Sequence, residues 1–294
     1  ANGADPARLE LHICVLSDYV PLADSLSSRA ERLHIVRKRF KFDGSVVLRL
    51  ARLLRRLKAD LVHGFLFDAQ LATYLAGRLA GTTVVIGSER NTDYRLKRRQ
   101  LLGYHLTRGC VDAVIANSRA GAEFNRRLLR RPAELFHVIH NGVNTDHFCP
   151  GEGSALRRDL GVAEDERVVG MFGSFKRQKN HPMLFAAIPA ILARHPRTRF
   201  LFVGDELHGG LQGSNSYRAE MLARMDALDL RKRALFIGNR DDVADYYRVC
   251  DLTVLPSLHE GTPNVVIESM ACGVPVVVTD VADNSIIVPD GVVG

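Results

Sequence analysis

The stretch DLTVLPSLHEGTPNVVIESMACGVPVVVTD, residues 251–280, holds the pattern that decides the fold. LTVLPS (252–257) is a short apolar run of strand length. Asn264 to Cys272 reads as about two and a half helical turns at ~3.6 residues per turn. Val274 to Thr279 is a second apolar run, the pattern of a strand buried on both faces. Strand, helix and strand in this order make a βαβ unit with parallel strands. The punctuation agrees. Thr262 reads as an N-cap, and Pro263 as a first helical residue that tolerates a missing N–H. Gly273 and Pro275 stop the helix.

The same rhythm runs along the chain. In the first half, strand-like runs LHICVL (11–16), HIVRKR (34–39), DLVHGF (60–65), TTVVIGS (82–88), VDAVIANS (111–118) and FHVIHNG (136–142) alternate with helical stretches. The first of these helices is PLADSLSSRAERL (21–33), and the clearest is SVVLRLARLLRRLKA (45–59). NTDHFCPGEGS (144–154) reads as a linker, and after it the alternation restarts with RVVGMFGSF (167–175). The predicted class is therefore α/β, with two doubly wound Rossmann-like domains, 1–147 and 148–294, facing a cleft. The chain opens without the earlier strand and Gly-rich loop usual in such a domain, and stops at DGVVG (290–294). The expectation is that the first strand and the last helices are missing.

Ligands in such sheets bind beyond the carboxyl ends of the strands. The loops GSFKRQKN (173–180), GDELHGG (204–210), GNRDD (238–242) and PSLHEGTP (256–263) all fall there. Glu260 lies in the last of them and Glu268 lies within the helix that follows. Most carboxylates are merely solvated. Glu268, however, shares its helix with Val265, Val266, Ile267, Met270 and Ala271, and a carboxylate on a largely buried helix needs a partner. The free amides at the helix start, around Asn264 and Val265, suit an anion. Carboxylates accept from paired hydroxyls. An anion between two polyol ends describes a nucleotide sugar.

Composition narrows the field. The chain has 294 residues, 46% of them hydrophobic, and no uninterrupted apolar run long enough for a membrane span. Five cysteines without CxxC spacing fit a reduced cytoplasmic protein with small buried thiols. Eleven histidines without HExxH-like spacing predict no metal site. Residues 1–150 carry 24 Lys+Arg against 14 Asp+Glu (+10), and residues 151–294 carry 16 against 19 (−3). The basic half includes RLARLLRRLKAD (49–60), RLKRRQ (95–100) and FNRRLLRRP (124–132), which are either solvated helix faces or a face toward an anionic membrane or lipid phosphate. No aromatic residues interleave with these charges, which argues against nucleic acid.

Over almost its whole length the chain resembles the retaining glycosyltransferases of family 4, with the two-domain GT-B fold. The resemblance rests on SRAGAEFN (118–125), IHNGVNTDHFCP (139–150), GSFKRQKNHP (173–182), FVGDE (202–206), LFIGNRDDV (235–243) and, most specifically, the paired-glutamate stretch quoted above. It implies that Glu260 contacts sugar hydroxyls and Glu268 the ribose hydroxyls. Gly261, Thr262, Pro263, Asn264 and Val265 would offer amides to sugar and diphosphate. Asn239 and Arg240 would cup the nucleobase, and Lys179 would meet the diphosphate beside Gly173 and Ser174. The family often has arginine where Ser174 stands, so Arg177 is the candidate second cation. A first-domain histidine often found near VVIGSERN is replaced by Ser88, Glu89 and Arg90, leaving His63 and Arg90 as acceptor-side candidates. The resemblance implies transfer of a hexose or N-acetylhexosamine from a nucleotide diphosphate sugar, UDP-linked for preference, with retention, no metal and no cofactor. The acceptor would be a lipid-linked or saccharide precursor at the inner membrane face. A non-catalytic nucleotide-sugar binder or inactive fragment is the alternative. An epimerase of like architecture lacks the linker and the glutamates.

Overall fold

The computed structural model describes residues 5–291, apart from 21–22, 24–25, 27–31, 41–42, 91–95, 208–210 and 212. The helix expected over 21–33 therefore lies almost entirely outside the described residues. The chain divides into two compact units. One comprises Ala1–Glu89, Tyr94–Ala116 and Ala122–Val138; the other comprises Arg90–Asp93, Asn117–Gly121 and Ile139–Gly294.

In the first unit, β1 (Ile13–Val15) pairs in parallel with β2 (Leu33–Ile35). A separate parallel sheet runs in chain order through β3 (Leu61–His63), β4 (Val84–Glu89), β5 (Ala113–Ala116) and β6 (Phe136–Val138). Its connecting helices are α1 (Ser45–Leu57), α2 (Phe67–Ala80), α3 (Arg98–Leu106) and α4 (Arg119–Leu129). α1 buries Val46, Leu50, Leu53 and Leu54 in a cluster with Ala72 and Ala76 of α2, while its arginines at 49, 52, 55 and 56 take the other side. That division is what a 3.6-residue period makes of SVVLRLARLLRRL.

The second unit is built on a five-stranded parallel sheet in the order β11-β10-β7-β8-β9. Its strands are β7 (Arg167–Phe172), β8 (Thr198–Val203), β9 (Ala234–Gly238), β10 (Leu252–Leu255) and β11 (Val276–Val278). The helices are α5 (Ser154–Asp159), α6 (His181–Arg194), α7 (Ser214–Ala227), α8 (Val243–Val249), α9 (Asn264–Ala271) and α10 (Asn284–Ile287). The chain winds one way from β7 to β9, then returns to the other side of β7 for β10 and β11. Strand alternation feeds both faces. Val169 and Met171 join Leu184, Phe185, Tyr217 and Met221 under α6 and α7. Val168 and Phe172 join Tyr246, Tyr247 and Val249 of α8. Gly170 permits this closeness, since a Cβ there would lie 2.5 Å from Cys250 Sγ.

Three readings need correction. β11 is an edge strand, paired only with β10, and Val277 is 51% exposed rather than buried. An apolar run reports affinity for a core but not a strand's rank in the sheet. Pro263, not Thr262, occupies the N-cap of α9, because the Thr262 hydroxyl donates to Asn117 O instead. Of the five free cysteines only Cys250 and Cys272 are buried. The short helices α5 and α10 were not foreseen; each is too brief to establish a period.

Candidate functional site

The winding reverses between β7 and β10, so the loops leaving these two strands flank the switch point of the second sheet. Leu258 N donates to Gln178 O at 2.8 Å, and Gln178 Nε2 donates to His259 O at 2.7 Å. This stitching brings Lys179 and Glu260 together: Lys179 Nζ donates to Glu260 Oε1 at 2.7 Å, with side chains 11% and 8% exposed. Sequence reasoning gave the two residues separate tasks; the structure makes them one ion pair. Lys176 is half-buried beside them, and burial, reinforced by the charge of Lys179, draws its ammonium below the ordinary lysine value. Arg177 is directed elsewhere. Its guanidinium pairs with Glu220 of α7 at 3.2 Å and lies 5.5 Å from the centre of the Tyr217 ring. Lys176 thus lies within electrostatic reach of Lys179, while Arg177 pairs with Glu220.

Gly173 and Ser174 lead out of β7. Gly173 has φ 137°, and Gly204 at the end of β8 has φ 129°, values that few residues other than glycine adopt. A Cβ on Gly204 would meet Gly173 O at 2.3 Å. The backbone rim beside Lys179 is thus kept free of side chains.

The turn Glu260–Asn264 is held from several sides within the second unit. Gly261 fits where a Cβ would lie 2.4 Å from Asn117 Oδ1 and 2.8 Å from Arg90 O. Asn141 Nδ2 donates to Thr262 O at 2.9 Å and to Asn264 Oδ1 at 2.7 Å. No side chain caps α9. The first amides of the helix, Asn264 and Val265, have no intrahelical acceptor. Their partial positive charge faces the turn. Ser257 Oγ and Asn117 Oδ1, both buried, have no hydrogen-bond partner among the described residues.

One turn into α9, Glu268 is half-buried. Tyr247 Oη donates to its Oε2 at 2.8 Å. Burial raises the Glu268 carboxyl above the ordinary value, and Tyr247 and His147 pull it part of the way back. Asn239 and Arg240 are exposed beyond β9, where Arg240 makes a two-pronged bond to Asp242 at 2.8 Å through each nitrogen and lies 5.3 Å from the Tyr246 ring centre. Asp283 anchors another strip of this unit by accepting from Arg119 N at 2.6 Å, Ala120 N at 2.9 Å and His140 Nε2 at 3.0 Å. Burial would raise Asp283, but these donors outweigh it and hold its carboxyl below the usual range.

The paired glutamates, the lysine, the Gly261–Val265 turn and the Gly173 loop therefore converge at one end of one sheet. His63 ends β3 of the first unit, its ring tilted 35° to that of Phe65 with centroids 4.2 Å apart. Arg90 contributes its carbonyl to the packing around Gly261, while the residue itself is exposed. Lys176, Asn117, Asn141, Tyr247 and Asp283 were missed. Lys176 and Asn141 lay inside quoted motifs; Tyr247 and Asp283 gave no signal, because their roles depend on partners distant in sequence. Among the described residues no group of three or more His, Cys, Asp and Glu could hold a metal ion, and no helix is long and apolar enough to cross a membrane.

Comparison with known proteins fits this geometry. Residues 1–147 match the family model described as Glycosyltransferase Family 4, and residues 166–294 the model described as Glycosyl transferases group 1. The chain is 28% identical over 258 residues to UDP-Gal:alpha-D-GlcNAc-diphosphoundecaprenol alpha-1,3-galactosyltransferase of Escherichia coli, covering 84% of this chain and 64% of that protein. It is 32% identical over 186 residues to D-inositol 3-phosphate glycosyltransferase of Mycobacterium sp. (strain KMS), covering 63% of this chain and 40% of that protein. The chain thus spans about 40% to 64% of the length of these curated relatives. Among solved structures, Anabaena Alr3699/HepE in complex with UDP and glucose superimposes with a TM-score of 0.82 at 23% identity, covering 95% of this chain and 75% of that one.

Proposed function

The chain belongs to the GT-B glycosyltransferases, and from that premise we propose that it moves a hexose or N-acetylhexosamine from a UDP-sugar to an acceptor hydroxyl, with retention at the anomeric carbon. The observation that carries this reading is the buried Lys179–Glu260 pair at the switch point, set against the uncapped start of α9 with Glu268 one turn behind. Glu260 is assigned to the sugar hydroxyls, Lys179 with Lys176 to the diphosphate, and Glu268 to the ribose. Gly173 and Ser174 adjoin the diphosphate, the amides of Asn264 and Val265 receive it, and Asn239 and Arg240 border the base.

The chemistry follows from charge. As the glycosidic bond breaks, the nucleoside diphosphate gains negative charge. Fixed amides and a buried ammonium stabilise that charge without reorganising. This is how the reaction proceeds without a metal in the proposed mechanism. Glu260, held against Lys179, is placed for the sugar in this reading. The acceptor candidates are His63 of the first unit and Arg90, which falls in the second. The name of the Escherichia coli relative, which acts on a diphosphoundecaprenol-linked sugar, supports a lipid-linked saccharide of envelope polysaccharide or glycolipid synthesis. A cytoplasmic enzyme at the inner membrane face follows from that acceptor.

The test is a panel of UDP- and GDP-sugars with the full-length protein, read by thermal stabilisation, by UDP release with lipid-linked acceptors, and by the anomeric configuration of the product. A UDP-sugar should stabilise and turn over with retention, and Glu268→Gln should lose at least a hundredfold in kcat/KM. Binding without turnover would make the protein a nucleotide-sugar binder. Wild-type activity in Glu268→Gln would refute the site.

A further inference from the structure

Tyr247 is a buried phenol that the reaction as described does not use. It is fully buried on α8, and its ring is stacked on Phe172 of β7 with centroids 3.9 Å apart and planes 17° apart. Phe148 meets it edge-on at 6.1 Å. A ring gripped on these sides has its hydroxyl aimed in one direction, and that direction is Glu268 Oε2 at 2.8 Å. The terminal torsion of a glutamate is soft, so a carboxylate without such a bond samples a broad range. With Oε2 occupied, Oε1 is the oxygen left to accept from a ligand. We propose that Tyr247 is a positioning residue for nucleotide recognition, fixing Glu268 so that its second oxygen meets the ribose hydroxyls of a nucleoside diphosphate.

The proposal rests on the donor reading given above and adds to it a residue that does not touch the donor. It also bears on the protonation of Glu268, whose carboxyl is raised overall. Burial raises that carboxyl, and the phenol of Tyr247 and the imidazole of His147 lower it. Cys272, at the C-cap of the same helix, is a further titratable neighbour, and its thiol is itself raised, chiefly by burial. Tyr247 is therefore the donor that favours the ionised form the ribose needs, and its own phenol is held far above the usual range by burial and by Glu268.

Tyr247→Phe keeps both ring contacts and deletes only the hydroxyl. UDP binding to the full-length protein is measured by calorimetry between pH 5 and 8 for wild type, Tyr247→Phe and Glu268→Gln, beside 2′-deoxy- and 3′-deoxy-UDP. The expected result is about tenfold weaker UDP binding in Tyr247→Phe, the scale of one lost bond to a charged group. KM for the donor should rise with kcat little changed, and the acid limb of binding should move to higher pH. The losses from Tyr247→Phe and from the missing ribose hydroxyl should overlap rather than multiply, as coupled groups do. The inference is overturned if Tyr247→Phe binds UDP like wild type over the whole pH range while Glu268→Gln fails to bind. It is equally overturned if the two losses simply multiply, which would mark a general loosening. Should wild type not bind UDP, or Glu268→Gln bind it normally, the donor reading itself falls.

Discussion

Lys179 and Glu260 pair where only 11% and 8% of the side chain meets solvent. Removing one partner of a buried pair typically costs 3–5 kcal/mol, whereas replacing both by apolar groups costs far less. Lys179→Ala should therefore lower stability by about 3 kcal/mol in denaturant unfolding. Lys179→Met with Glu260→Leu should recover most of that loss, and both variants should lack transferase activity. Recovery of activity in the double variant would remove the pair from the chemistry. His181, two residues on, gives a second test. Its ring is stacked 4.5 Å from Phe175, and burial, with help from the charge of Lys179, lowers it from an ordinary 6.5 to about 4. A histidine depressed in the folded state binds fewer protons there than when unfolded. Its contribution to stability is thus complete above pH 6.5 and is lost as pH falls toward 4, by up to about 1.4 kcal/mol per pH unit. Urea midpoints across that window should show the slope, and His181→Phe should flatten it. A slope unchanged in His181→Phe would place the acid sensitivity elsewhere.

At the level of elements, the strands and the longer helices could be read from the sequence because their periods repeat over enough residues: β7, β8 and α1 lie within RVVGMFGSF, TRFLFVGD and SVVLRLARLLRRLKA, each ending two or three residues sooner than expected. What could not be read is how an element is finished. The Thr262 hydroxyl has two chemically equal uses, capping α9 or reaching Asn117 O, and only the neighbour 145 residues away decides between them. The same holds for Asn141, which secures both the Thr262 carbonyl and the first side chain of α9. Asn141→Ala should leave the fold intact, cost about 1 kcal/mol of stability for the lost bonds, and raise the donor KM several-fold. Gly261→Ala should be more severe, since its added methyl must displace Asn117 and the Arg90 carbonyl. Donor affinity measured for both variants checks the order; equal values would contradict the role given to the turn.

For the whole molecule, the α/β class and the alternation in both units were legible, because parallel strands buried by helices leave long-range regularity in the sequence. The arrangement around the turn was legible only through its motif residues. The segments at Asn117 and Asn141 that support it come from chain positions far from the motif, and nothing in their local pattern points there. If the donor site is as proposed, UDP at a hundredfold excess over its dissociation constant should stabilise the protein by about 2.7 kcal/mol, and UDP should protect the α9 amides from hydrogen exchange before those of α1. The glycine rim beside Lys179 has one last implication. Gly173 and Gly204 press main chain against main chain with no side chain between them. A shelf made of bare peptide cannot be retuned one substitution at a time. Laboratory evolution toward a different nucleobase would find these two positions immovable and would be driven outward, to Asn239, Arg240 and their neighbours.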